Sequence, residues 1–383
     1  MSSVLVVGAG LGGVRTAQTL RRLGHRGPVT LLGAEPSLPY DRPPLSKAGL
    51  AGERPPVWLA TSPELSAAGI VLHTGVTVLS LSPTTVTTSS GSFSYDQLVI
   101  ATGAEPRRLP VPQPPHGVHV LRTLADATRL RQVLAAGSRL VVVGAGVLGC
   151  EVAATARSLG VEVTLVEADT APMRRLLGAG LGERLAAVHR AQGVDVRCGS
   201  GVTAIRGDSA VTGVELADGT VVPADNVVVA IGAVPRTDWL RDSGLTLADG
   251  VVCDESLRAA PNVWAVGDVC RWTGTDGVSR RSEHWTNAGN QAEAVAAAIV
   301  SGRPTPYESV PWMWSDQYHL KITCLGDPAD GDDVRVTPLD DGDRLKAVFS
   351  RAGIVSAVAG FSAGGAVLRL RGALGKPLTE VAA

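Results

Sequence analysis

Val4-Leu5-Val6-Val7-Gly8-Ala9-Gly10-Leu11-Gly12-Gly13 opens the chain, and Leu140-Val141-Val142-Val143-Gly144-Ala145-Gly146-Val147-Leu148-Gly149 repeats its pattern downstream. Each is an apolar, strand-like run that enters Gly-x-Gly-x-x-Gly and leaves into an Ala-rich helical pattern, the context a dinucleotide-binding turn requires. The first glycine permits the tight turn, the second lets a phosphate approach the backbone, and the third lets helix and strand pack closely. A pyrophosphate then sits against the positive end of the helix. One such turn fits a dehydrogenase or a flavoprotein. Two predict a chain that holds two dinucleotides and passes electrons between them.

Outward from the first turn, a helix over about Gly12–Leu23 leads to a strand at Val29–Leu32 and a Pro-rich loop, Pro39-Tyr40-Asp41-Arg42-Pro43-Pro44-Leu45-Ser46-Lys47. Alternating β-branched residues from Val71 to Thr88 read as a meander, and Leu98-Val99-Ile100-Ala101-Thr102-Gly103 as a buried strand ending in a small-residue turn. Pro110–Pro115 reads as a linker, because clustered prolines continue neither a helix nor an inner strand. The plan then recurs: a helix over about Val147–Leu159, a strand at Val161–Glu167, a hairpin at Glu215–Thr220 and a strand at Asn226–Gly232. From about Thr237 a fresh pattern runs to Val263-Trp264-Ala265-Val266-Gly267-Asp268, and from about Val310 Asp/Gly turns at Asp340–Asp343 suggest a small sheet domain. The fold class expected is α/β, with two Rossmann-like dinucleotide-binding domains and a small α+β C-terminal domain. The first comprises residues 1–113 and 237–309, the second 114–236, and the third 310–383.

The 383 residues, 39.4 kDa, 45% apolar and 19% charged, suffice for real cores and lie far from the disordered class. A net charge of −1 and a pI near 6.7 give no global basic field, so no nucleic-acid partner is expected. The amino terminus enters the first strand without a signal-peptide pattern, and no apolar run of about 18 residues suggests a membrane span. A soluble, cytoplasmic protein, monomeric or homodimeric, is expected. Cys150, Cys198, Cys253, Cys270 and Cys324 show neither Cys-x-x-Cys nor metal-finger spacing, and read as scattered small hydrophobes. No metal site is expected.

Glu35 and Glu167 each follow their fingerprint by about 20 residues, at a second-strand end, where a carboxylate accepts hydrogen bonds from adenine-ribose hydroxyls. The bland alternative is an exposed surface glutamate. Glu167 also predicts NADH over NADPH. Its charge would meet a 2′-phosphate with a repulsion of about 4 kcal/mol at 4 Å and an effective dielectric of 20. Ala168, Asp169 and Thr170 supply no compensating arginine, leaving Arg174 and Arg175 as the residues a folded loop could bring back.

Both fingerprints, Ala101-Thr102-Gly103, the Arg42–Lys47 loop, Gly267-Asp268, Glu283-His284-Trp285 and Pro311-Trp312-Met313-Trp314-Ser315-Asp316-Gln317-Tyr318 together resemble the ferredoxin reductases of bacterial oxygenase systems. That group includes putidaredoxin reductase, the dioxygenase and rubredoxin reductases and, more distantly, apoptosis-inducing factor. The resemblance runs from about residue 3 to 327, and implies a glutathione-reductase-like fold with FAD in the first unit and NAD(H) in the second. It implies that Gly8, Gly10, Gly12 and Gly13 hold the FAD pyrophosphate, with Glu35 on its ribose. Ala34 stands where many relatives carry an acid, which leaves Glu35 alone there. Arg42 and Lys47 would approach the flavin and its phosphates, Val76, Ala101 and Thr102 line the adenine side, Arg122 contact FAD, and Asp268 bond the ribityl chain. Glu283, His284, Trp285 and Trp314 would surround the isoalloxazine. Gly144, Gly146, Val147, Leu148, Gly149, Glu151, Glu167 and Gly232 would line the NADH site.

Lys47, Glu151 and Trp285 are the residues expected at the chemistry. Lys47, one of four lysines in an Arg-rich chain, closes a rigid Pro-Pro loop, and a fixed cation near flavin N1 and N5 favours the reduced, anionic ring. The resemblance pairs it with Glu151; the alternative is a solvated lysine. Asp268 reads equally as a helix N-cap. Trp285 reads either as core packing or as a ring over the flavin that stacks on nicotinamide or carries electrons outward. Arg271, Arg280, Arg281, Arg303, His319 and Lys321 form a basic rim for an acidic iron–sulfur protein, or else are ordinary solvated charges.

The function expected is an FAD-dependent oxidoreductase that takes hydride from NADH and passes single electrons to a [2Fe-2S] or similar ferredoxin serving an oxygenase or cytochrome P450. Its rivals are an NADH oxidase or flavin enzyme acting on oxygen, a quinone or a small biosynthetic substrate, and an NADH-sensing, redox-dependent binding protein.

Overall fold

The computed structural model describes residues 2–380, which pack as two compact units. Among the described residues, the first gathers 2–41, 56–105 and 234–311. Its centre is a six-stranded sheet in the order Arg258–Ala260, Val263–Ala265, Gln97–Ile100, Val4–Val7, Val29–Leu32, Ile70–His73. Val4–Val7 runs parallel to both neighbours, with Val4 opposite Val29 on one side and Gln97 on the other. All four of its side chains are buried, as a parallel strand covered on both faces requires. The helices Leu11–Arg22 and Trp285–Ser301 pack on each other. Leu20, Val295 and Ala296 are completely buried in this core, and each large apolar side chain so buried contributes about 1.5–3 kcal/mol.

One strand differs from the sequence reading. Ile70–His73 does not begin the meander but is the parallel edge strand beside Val29–Leu32. An edge strand buries one face only. Here Ile70 is buried and Val71 is 54% exposed, which mimics antiparallel alternation. The meander is the separate sheet Val78–Ser82, Thr85–Thr88 and Gly91–Ser94.

Among the described residues, the second unit gathers 42–55, 106–233 and 312–380, so the loop that carries Lys47 belongs to it. Its five-stranded parallel sheet runs Asp195–Cys198, Glu162–Glu167, Arg139–Val143, Asn226–Val229, Val118–His119. The hairpin expected at Glu215–Thr220 joins Gly213–Leu216 to Val221–Pro223. A five-stranded antiparallel sheet closes the chain: Trp312–Gln317, Leu320–Gly326, Ile354–Phe361, Leu345–Arg351, Asp333–Pro338. The Asp340–Asp343 turn joins its last two strands in space. Helix Arg174–Ala191, which the sequence reading did not single out, is broken at Gly178 (φ +68°). Cys150, Cys253, Cys270 and Cys324 are buried and Cys198 is partly so; burial pushes the Cys198 thiol up to about 11. Among the described residues, no helix is long and apolar enough to cross a membrane.

Candidate dinucleotide-binding sites

The two fingerprints fold into one geometry. Gly8 and Gly144 adopt φ of +112° and +98°, and a Cβ on either would lie 2.1 Å from the Ala101 carbonyl oxygen or 2.5 Å from that of Ala230. Gly13 and Gly149 press on the strand, where a Cβ would lie 1.8 Å from the carbonyl oxygen of Gly8 or Gly144 respectively. Gly12 packs on Val266. Gly8, Gly13, Gly144 and Gly149 need glycine for folding, because backbone atoms occupy the place of a side chain.

Gly10 and Gly146 are different. Each is the N-cap of a 12-residue helix, at φ −78° and ψ −170° or φ −72° and ψ −172°, a conformation open to any residue. A Cβ there would meet nothing within 4 Å. The fold does not ask for glycine at these two places, but a ligand that touches the backbone does. No side chain caps either helix, so their first-turn N–H groups are left to an anion. The residues present fit a pyrophosphate at each turn.

Around the first turn, Glu35 accepts the Tyr40 hydroxyl, buried Val76 donates its N–H to Gly33 at 2.9 Å, and Thr102 donates its hydroxyl to the Arg236 carbonyl at 2.9 Å. Gly103 and Gly232 end equivalent strands, both at positive φ. Around the second, Glu167 accepts the N–H of Ala145 at 2.6 Å and of Asp169 at 2.9 Å, placing its carboxylate at the glycine turn itself. Val147 and Leu148 open the helix that follows that turn. Arg174, the arginine a folded loop was to return, is held by Asp169 at 2.7 Å and Asp330 at 3.3 Å. That hydrogen bond in turn holds the Asp169 carboxyl below its usual range. Arg175 is exposed.

The second unit also contains a buried ion pair. The short 3-10 turn Pro43–Ser46 delivers Lys47, whose Nζ lies 2.7 Å from Glu151 Oε2 and donates to the Pro43 carbonyl at 3.2 Å. Glu151 is 4% exposed, and its carboxylate further accepts the hydroxyls of Ser46 (2.5 Å) and Ser315 (2.7 Å). A buried charge is tolerable only when paired and hydrogen-bonded, and both carboxylate oxygens here are engaged. The Arg42 guanidinium is tied to the Arg122 carbonyl, and the Arg122 N–H donates to Asp126 at 3.1 Å.

In the first unit, Trp285 is the first residue of its helix, with His284 as N-cap. It is partly exposed rather than a core residue, and its Nε1–H donates to Asp41 Oδ1 at 2.6 Å. Asp268 corrects the capping alternative: it lies inside the 3-10 turn Gly267–Val269, whose N-cap is Val266. Buried Gln291 accepts the Gly267 N–H at 2.8 Å and fixes that turn from below. Glu283 accepts from Arg281 at 2.7 Å. Arg271 and Arg281 pair with Asp249, and Arg280 with Asp276, so the arginines before Trp285 are charge-balanced locally. In the second unit, the strand Trp312–Gln317 has two faces: Met313, Ser315 and Gln317 point inward, while the Trp312 and Trp314 rings lie 6.2 Å apart on the other side. Asp41, Ser46, Ser315, Gln317, His189 and Gln291 were not foreseen. Only the alternation across Trp312–Gln317, with a Ser and a Gln on the inward face, carried a signal.

Residues 2–292 match the family model described as pyridine nucleotide-disulphide oxidoreductase, and residues 312–380 the one described as reductase C-terminal. The chain is 40% identical over 366 residues to the 5,5'-dehydrodivanillate O-demethylase ferredoxin reductase subunit of Sphingobium sp., covering 92% of this chain and 88% of that one. It is 38% identical to the biphenyl dioxygenase system ferredoxin–NAD(+) reductase component of Paraburkholderia xenovorans, over 85% of this chain and 81% of that one. The covalent putidaredoxin reductase–putidaredoxin complex superposes with a TM-score of 0.92 at 32% identity, covering 99% of this chain and 95% of that one.

Proposed function

The chain belongs to the pyridine nucleotide-disulphide oxidoreductases, among the ferredoxin reductases of oxygenase systems, and from that premise we propose that it takes hydride from NADH and delivers electrons to a ferredoxin. The ferredoxin in turn feeds an oxygenase or cytochrome P450. The observation that carries this reading is the pair of equivalent glycine turns, each with one glycine at a helix N-terminus whose missing side chain leaves room for a phosphate. FAD belongs to the first and NAD(H) to the second. Flavin is the required intermediary because it converts a two-electron donor into one-electron steps.

The residues of this chain bind, orient and set charge. Gly8, Gly10, Gly12 and Gly13 shape the FAD pyrophosphate cradle, and Glu35 receives its ribose. Val76, Ala101 and Thr102 flank the adenine; Arg42, Arg122 and Asp268 hold the rest of the cofactor. Gly144, Gly146 and Gly149, with Val147, Leu148 and Gly232, form the NADH cradle, where Glu167 receives the ribose and repels a 2′-phosphate. Lys47, held by Glu151, is the cation set against the flavin. Glu283, His284, Trp285 and Trp314 wall the ring system. The division 1–113 with 237–309, 114–236 and 310–383 assigns one domain to each cofactor and leaves the third as a small C-terminal α+β domain.

The test is direct. The purified protein is expected to be yellow, to bleach anaerobically with NADH, and to reduce cytochrome c only when a ferredoxin is added. A preparation that stays colourless after FAD is supplied overturns the proposal, and one that reduces oxygen rapidly but no ferredoxin overturns its acceptor.

A further inference from the structure

We propose that a buried file of hydrogen-bond donors, Tyr318 to His189 to Gln317 to Ser315, positions the Glu151 carboxylate and through it the Lys47 ammonium, so that the first strand of the C-terminal sheet tunes the flavin. This rests on the reading of Lys47 as the flavin's cation. Four of the participants are almost wholly enclosed: Glu151 is 4% exposed, Gln317 1%, and Ser315 and His189 0%.

The direction of every bond in the file is fixed by donor chemistry. Gln317 Oε1 can only accept, so His189 Nε2, 3.0 Å away, carries the imidazole proton. Burial holds that ring neutral, with its pKa down to about 4, and a neutral imidazole has one N–H. Nδ1 is therefore an acceptor, and the Tyr318 hydroxyl donates to it at 3.0 Å. Gln317 Nε2 donates to Ser315 Oγ at 3.0 Å and to Met173 Sδ at 3.5 Å. With its oxygen serving as acceptor, Ser315 spends its one proton on Glu151 Oε1 at 2.7 Å. Each link of the file thus donates toward the carboxylate, while the second Gln317 amide proton goes to Met173. Hydrogen bonds aligned in this way polarise one another, which strengthens the last bond to Glu151. The other carboxylate oxygen is left to Ser46 and Lys47. Ser315 and Gln317 thus fix which oxygen faces the lysine, and they are positioning residues.

A purely structural network would not set a redox potential, so the midpoint potential of the bound FAD is the readout. Ser315→Ala, with FAD stoichiometry and circular dichroism checked, is expected to shift the oxidised/reduced equilibrium about tenfold toward oxidised flavin. That lowers a two-electron midpoint by about 30 mV. Ser315→Thr, which keeps the hydroxyl, restores it. In a Lys47→Met background, Ser315→Ala leaves the potential where Lys47→Met alone put it. If Ser315→Ala does not fold, Gln317→Met, similar in shape but without the amide, replaces it in the same comparison. An unchanged potential in these variants overturns the proposal while Lys47→Met still shifts it; so does an equal shift in both backgrounds. A native potential in Lys47→Met alone instead removes Lys47 from the flavin, and the functional reading of that residue falls.

Discussion

The Glu167 carboxylate accepts the backbone N–H of Ala145 at 2.6 Å, joining the acid at the end of one strand to the glycine turn at the end of its neighbour. The acid that reads the ribose therefore also stiffens the phosphate cradle, and the two roles are separable by substitution. Glu167→Gln keeps an oxygen acceptor for Ala145 and removes the charge. It is expected to narrow the NADH/NADPH preference in kcat/KM at least about tenfold, equivalent to about 1.4 kcal/mol, with the thermal midpoint near native. Glu167→Ala should narrow the preference too and lower the midpoint as well. An unchanged preference in both variants would show that Glu167 does not read the ribose.

The second glycine of each turn gives a contrast that needs no catalytic assay. Gly10→Ala enters open space at an unstrained φ, and the entropy it removes from the unfolded chain opposes the N-cap preference for glycine over alanine, so the apoprotein should stay within about 1 kcal/mol of native. Its FAD affinity should nevertheless fall by tenfold or more, because the new methyl group occupies the place of phosphate. Gly13→Ala sets a Cβ 1.8 Å from the Gly8 carbonyl and should lower apoprotein stability. Flavin retention on gel filtration and apoprotein melting curves read both quantities. Native FAD affinity in Gly10→Ala would mean that no phosphate lies there.

These glycines were legible because each demand is local: a positive φ, a carbonyl one bond length too near, a missing cap. Local demands also explain the failures. Ile70–His73 is an edge strand whose half-buried pattern cannot be told from a meander strand. Helix Arg174–Ala191 contains Gly178, Gly180 and Gly182, which argue against helix on propensity. Gly178 breaks the helix, and a Cβ on Gly182 would lie 2.6 Å from the Pro172 carbonyl, so two of the three answer packing needs. The Lys47–Glu151 pair was legible only through family resemblance, since nothing local joins positions 47 and 151. The file behind it was legible only in part: the alternation across Trp312–Gln317 sets Ser315 and Gln317 on one strand face, but only the tertiary fold brings His189 to them.

Trp285 is held by Asp41 through its indole N–H, at the start of a helix and outside the core. Trp285→Ala is expected to slow ferredoxin reduction about tenfold while flavin reduction by NADH changes less. Asp41→Ala, which keeps the ring and frees its orientation, should reproduce part of that loss. Stopped-flow measurement of the two half-reactions separates them. Equal slowing of both would remove the proposed outward role.

His189 predicts how stability depends on pH. Burial lowers its pKa from 6.5 to about 4 in the folded chain. Above pH 6.5 the ring is neutral whether the chain is folded or not, and its contribution is fully present. Between 6.5 and 4 the unfolded chain takes up a proton that the folded chain refuses, so stability falls as pH falls. Below about 4 both states are protonated and the loss stops. The window is worth at most about 3 kcal/mol, at 1.36 kcal/mol per pKa unit. His189→Gln removes the titrating group, so the difference in unfolding free energy between native and variant should shrink as urea titrations move from pH 7 to pH 4.5. The carboxylates titrate alike in both proteins and cancel in that difference. A difference that stays constant across the window would place the His189 pKa near its ordinary value, and would take away the single-proton tautomer that fixes the direction of its bonds to Gln317 and Tyr318.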